Sequence, residues 1–118
     1  MVDTAPFHDR DGFIWFDGKL VPWREANVHL LSHALHYASA VFEGERAYGG
    51  VIFELTQHTQ RLCEGAKTMD FTIPYSVAQI DQACRAAPPQ RLRAPNRQIA
   101  HIARYRRPSH AGVRRLSP

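Results

Sequence analysis

Apolar positions along residues 13–87 change their period from one segment to the next, and each period predicts an element. FIWFDGKLVPW, residues 13–23, is apolar and aromatic on both sides of Asp17-Gly18, a dipeptide that supplies positive φ for a tight hairpin turn. Pro22 limits how far the second strand pairs centrally. After Asn27 the spacing becomes helical, with Val28, Leu31, Leu35 and Ala38 recurring, and Ser32 is placed to cap a short helix through HALHYAS. From Val41 the β pattern returns. Alternation turns Phe42, Gly44, Arg46 and Tyr48 one way and Val41, Glu43, Glu45 and Ala47 the other. Gly49-Gly50 then divides VFEGERAY from VIFEL in the manner of a turn.

Two further helices follow. TQHTQRLCEGAKTMD begins at Thr56 and carries an apolar stripe of Leu55, Leu62, Ala66 and Met69, with Gly65 as its weak point. Pro74 breaks it. Ser76 caps SVAQIDQACRAA, in which Val77, Ile80 and Cys84 point inward and Gln79 holds the capping-box position. The predicted fold is a small α+β domain, with an antiparallel or mixed sheet from residues 13–23 and 40–55 and two helices over about 57–70 and 76–87. Residues 1–12 form an N-terminal arm.

Composition changes this picture only past Pro88. The net charge of +4 averages two unlike parts: residues 1–87 hold eleven carboxylates against seven Lys/Arg, whereas residues 88–118 hold eight Arg, five Pro and no acid. Only Ile99, Ile102 and Tyr105 make a feeble apolar period there. Such a segment buries too little to offset an ordering entropy of roughly 1–2 kcal/mol per residue, so a mostly disordered basic tail is expected. Elsewhere, 44% apolar and 22% charged residues fit a globular domain. No apolar run is long enough to span a membrane and no leader is evident, which points to a cytoplasmic protein. Cys63 and Cys84 have neither CxxC spacing nor a secretory context and read as free thiols.

IWFDGKLVPWREANVHLLSHALHYASAVFEGERAY, followed by FELTQHTQRLCEGAKTMDFTIPYSVAQIDQACR, resembles the small N-terminal domain of a branched-chain amino acid aminotransferase over about residues 13–87. That family is fold-type IV and depends on pyridoxal phosphate, which lies between this domain and a larger one. The resemblance implies amino-group transfer between Leu, Ile or Val and 2-oxoglutarate. It places Tyr37, Phe42 and Arg46 at the substrate and Arg61 at the cofactor phosphate, and it implies homodimers. A planar guanidinium suits a phosphate dianion, and aromatic walls suit a branched aliphatic side chain. The Schiff-base lysine belongs to the larger domain, and Lys19 and Lys67 stand where the family has no catalytic lysine. No catalytic residue is therefore expected among these residues, and a truncated, inactive fragment is implied. The abrupt passage into Arg/Pro-rich sequence is what a shifted reading frame in GC-rich DNA would produce. Two positions depart from the family: Glu45 replaces an aliphatic residue, and Ala38 replaces a glycine that matters only where the backbone needs positive φ.

Plainer readings stand beside these. Arg46 would be an ordinary strand arginine, Arg61 a surface pair with Glu64, and Phe42 and Tyr37 core aromatics. His29, His33 and His36 fall at i, i+4, i+7, but no carboxylate or thiol recurs at ligand spacing, so a polar helix face is preferred to a metal site. The chain could instead be a non-catalytic dimerising α/β module. The tail could bind nucleic acid non-specifically through phosphates; no motif accompanies its arginines, and specific recognition is not expected.

Overall fold

The computed structural model describes residue 6, residues 8–87 and the backbone of residues 97–104. Strands β1 (Phe13–Phe16) and β2 (Lys19–Pro22) form an antiparallel hairpin with Phe16 opposite Lys19. Its turn residues, Asp17 and Gly18, have φ of 49° and 92°, as the dipeptide predicts. A Cβ at Gly18 would lie 3.0 Å from the Tyr75 hydroxyl, so close approach adds to the conformational demand. Trp15 meets Tyr75 edge-on at a centroid distance of 5.0 Å and docks the hairpin. A single 3-10 turn, Trp23–Glu25, follows, and Arg24 donates from it to Asp9 and Asp11.

The second hairpin belongs to a different sheet rather than extending the first. Strand β3 (Ala40–Tyr48) lies between β4 (Val51–Ile52) and β5 (Arg97–Arg104), with every pairing antiparallel. Gly49 and Gly50 both adopt positive φ at the β3–β4 turn. Strand β5 was not anticipated from the sequence: its apolar period is weak, but the edge of β3 offers backbone partners from Ala40 to Ala47 whatever the side chains. The rest of the segment read as a basic tail lies outside the described residues.

Helix α2 (Leu55–Thr68) covers one face of β3. Gly65 makes that packing close, since a Cβ there would sit 3.3 Å from Val41 Cγ1. The predicted weak point of the helix is thus a contact. The stripe buries Leu55, Leu62 and Ala66, but Met69 is exposed because the helix has already ended. Asp70 takes φ 59°, and the amides of Phe71 and Asp70 donate back to the carbonyls of Ala66 and Lys67, a Schellman ending. Helix α3 (Val77–Ala86) starts on the predicted capping box: Ser76 accepts from the Gln79 amide at 3.2 Å, and the Gln79 side chain accepts from the Ser76 amide at 2.8 Å. Leu55, Ile80 and Cys84 form the core, with Ile52, Cys63, Ile73 and Tyr75 packed round it.

The third helical stretch departs from its pattern. Only His33–Tyr37 is helical (α1), and Leu30, Leu31 and Leu35 are exposed. Ser32 stands at the N-cap but does not cap; its hydroxyl donates to the His29 carbonyl at 2.7 Å. Among the described residues no helix is long and apolar enough to cross a membrane.

Candidate functional site

Strand β3 sorts its side chains by alternation, and the sorting sets the site. Glu43, Glu45 and Ala47 are buried towards α2, while Phe42, Arg46 and Tyr48 stand exposed on the other face. Phe42 and Arg46 are four residues apart, roughly 13 Å along a strand, and Gly44 between them leaves a floor without a side chain. An apolar ring and a cation thus flank a gap. Phe42 is 58% exposed, so it is not the core aromatic of the plainer reading. Among the described residues Arg46 makes no salt bridge, so the ordinary surface pair is also absent.

Tyr37 closes α1 and is 73% exposed, with the His33 and His36 rings at centroid distances of 5.2 and 6.4 Å. Directly after it, Ala38 takes φ 52° and ψ 25°. The glycine that the resemblance leads one to expect here would thus relieve strain, because an L-residue in the left-handed region costs about 1 kcal/mol or more. The left-handed residue ends α1 and lets the chain turn into β3.

Arg61 lies on the other side of the sheet. It projects from α2 to Glu43, donating Nε–H to Oε1 at 2.6 Å and Nη2–H to Oε2 at 2.7 Å. The surface pair with Glu64 of the plainer reading gives way to this longer-range one. His58, one turn earlier, brings Nδ1 to 2.9 Å from Glu43 Oε2. The Glu43 side chain is 8% accessible and that of Arg61 is 68% accessible. The two Arg61 donors, reinforced by His58, hold the Glu43 carboxyl down at about 2 despite its burial. An ionised carboxylate only accepts, so His58 carries its proton on Nδ1 in this arrangement. The 3.4 Å approach of Arg61 Nη2 to His58 Nδ1 is then two donors converging on one acceptor rather than a bond between them.

A second buried carboxylate, Asp81, does structural work. It is 5% exposed and accepts from the hydroxyls of Thr56 and Thr59, each at 2.6 Å, which ties α3 to α2. Glu45 is also buried, on the same face of β3 as Glu43.

The structure therefore brings Phe42 and Arg46 to one open face and sets Arg61 apart, against the opposite face of β3. Tyr37 stands before that strand begins. Glu43 and His58 were missed as members of the site. The signal was present in the alternation that puts Glu43 towards a helix and in the i, i+3 spacing of His58 and Arg61. The donor set fits a phosphate: Arg61 has five N–H groups, Glu43 takes two, and the remainder sit on an exposed side chain. Burial pushes the Cys63 thiol up, away from reactivity. Among the described residues no three His, Cys, Asp or Glu side chains cluster as metal ligands.

No protein-family model matches the chain. The branched-chain-amino-acid aminotransferase of Pseudomonas aeruginosa is 50% identical over 98 residues, covering 80% of this chain and 31% of that protein. The crystal structure of the Escherichia coli branched-chain amino acid aminotransferase superposes with a TM-score of 0.70 at 36% identity, covering 79% of this chain and 32% of that one. The branched-chain aminotransferase of Thermoproteus uzoniensis, solved with norvaline, gives 0.71 at 30% identity, with 91% and 37% covered. A further branched-chain amino acid aminotransferase, solved with pyridoxamine 5'-phosphate, gives 0.59 at 41% identity, with 63% and 26% covered. The chain spans about a third of the length of the curated relative it matches over most residues.

Proposed function

Because this chain carries the sequence and fold of the branched-chain-amino-acid aminotransferase family over about a third of such an enzyme's length, we propose that it is the small lobe of a pyridoxal-phosphate-dependent transaminase of leucine, isoleucine and valine. Pyridoxal phosphate, when bound, supplies the electron sink that lets an amino group pass between an amino acid and a 2-oxo acid such as 2-oxoglutarate. Arg61 receives its phosphate with the N–H groups that Glu43 leaves over. Phe42 and Tyr37 wall off the aliphatic side chain, and Arg46 orients the substrate by charge. A pocket of this kind discriminates by roughly 1–3 kcal/mol per methylene. The observation that carries the reading is the open face of β3, where Phe42 and Arg46 flank Gly44.

Lys19 and Lys67 are the only lysines in these 118 residues, and the family resemblance assigns neither to Schiff-base chemistry. These residues by themselves bind and do not turn over. Exposed Leu30, Leu31 and Leu35 support a homo-oligomer. The test is calorimetric titration of the 118-residue chain with phosphopyridoxyl-leucine, a ligand that cannot react with lysines. Saturable binding is expected, weakened roughly ten- to hundredfold by Arg61→Ala and less by Phe42→Ala. Binding that ignores Arg61→Ala, or no binding, defeats the proposal.

A further inference from the structure

We infer that Glu43 is the positioning residue for Arg61, gripping the guanidinium by its Nε/Nη2 edge so that the Nη1/Nη2 edge stays free for a phosphate dianion, with His58 steadying the Glu43 carboxylate. This rests on the reading of Arg61 as the cofactor-phosphate arginine.

The geometry supports it bond by bond. The contacts at 2.6 and 2.7 Å engage the side edge of the planar fork. That leaves one hydrogen on Nη2 and both on Nη1, enough for a second bidentate contact with an oxyanion. The grip comes from a nearly buried carboxylate on a strand, while the guanidinium itself is mostly exposed. Arg61 is thus fixed at its base and open at its tip. A long exposed side chain otherwise loses rotamer freedom when it binds an anion. Here Glu43 has already taken that freedom. His58 donates to Oε2 at 2.9 Å, the same oxygen that receives Arg61 Nη2, so the carboxylate cannot rotate to follow the guanidinium away.

The deciding experiment follows the Arg61 Nε–H proton by nitrogen-edited NMR in the 118-residue chain, titrated with inorganic phosphate and with phosphopyridoxyl-leucine; Arg61→Lys assigns the signal. The expected result is an Nε–H resonance shifted downfield and slow to exchange before ligand, unchanged at saturation, while the Nη signals move. An Nε–H that returns to its free-arginine position as ligand binds means that phosphate displaces Glu43, and the inference falls. If neither ligand moves any Arg61 signal, the cofactor-phosphate reading itself fails and takes this inference with it. Glu43→Asp keeps the charge and withdraws the carboxylate by one methylene; phosphate affinity should drop roughly three- to tenfold. A lower melting temperature with unchanged affinity would instead make Glu43 purely structural. If the variant does not fold, the titration of the unaltered chain still decides.

Discussion

Helix α2 buries Leu55, Leu62 and Ala66 against β3 and α3, whereas the leucines around α1 remain exposed. The two regions differ in what surrounds the stripe. Helix α2 runs fourteen residues, ends in a Schellman motif and has a strand beneath it and a neighbouring helix tied on by Asp81. Helix α1 runs five residues, its cap serine is turned backwards, and a left-handed alanine closes it. Apolar spacing alone therefore does not make a buried helix. Helix nucleation is unfavourable, and a short segment holds only where packing compensates.

The comparison can be broken by substitution. Leu62→Ala should cost about 3 kcal/mol in urea unfolding, while Leu31→Ala should stay within about 0.5 kcal/mol; equal effects would mean that α1 is packed after all. Asp81→Ala, which leaves the buried Thr59 hydroxyl without its best acceptor, should cost about 2–3 kcal/mol. Glu43 adds a pH signature. Its folded value lies near 2 against an ordinary 4.5, so its contribution is present above about pH 4.5 and disappears as pH falls towards 2. That contribution is on the order of 2 kcal/mol, since its partner Arg61 is solvent-screened. Glu43→Gln should flatten this acid limb, and an unchanged limb would place the carboxylate elsewhere. Smaller still, Ser76→Ala should cost about 1 kcal/mol through the lost capping box, whereas Ser32→Ala should cost only a few tenths of that. Ala38→Gly should stabilise by up to about 1 kcal/mol, read as a higher melting temperature.

The turns, the capping box and the two faces of β3 were legible because each depends on residues adjacent in sequence. Asp17-Gly18, Gly49-Gly50 and Ser76 with Gln79 fix local dihedrals and local hydrogen bonds, and the alternation of Phe42, Gly44 and Arg46 is a property of any strand. The exposed face of β3 was therefore readable before the structure. The ties between elements were not. Glu43 with Arg61, and Asp81 with Thr56 and Thr59, join residues fifteen or more positions apart, and their burial depends on tertiary packing that composition does not encode. Strand β5 was missed for a related reason, since its partner is a backbone edge rather than a side-chain pattern.

The missing side chain at Gly65 has a mechanical consequence. Arg61 and His58 stand four and seven residues before it, on the same flank of α2, and the short clearance over Val41 leaves helix and strand little room to slide past each other. A displacement of β3 would therefore be passed through the helix to Arg61 and His58.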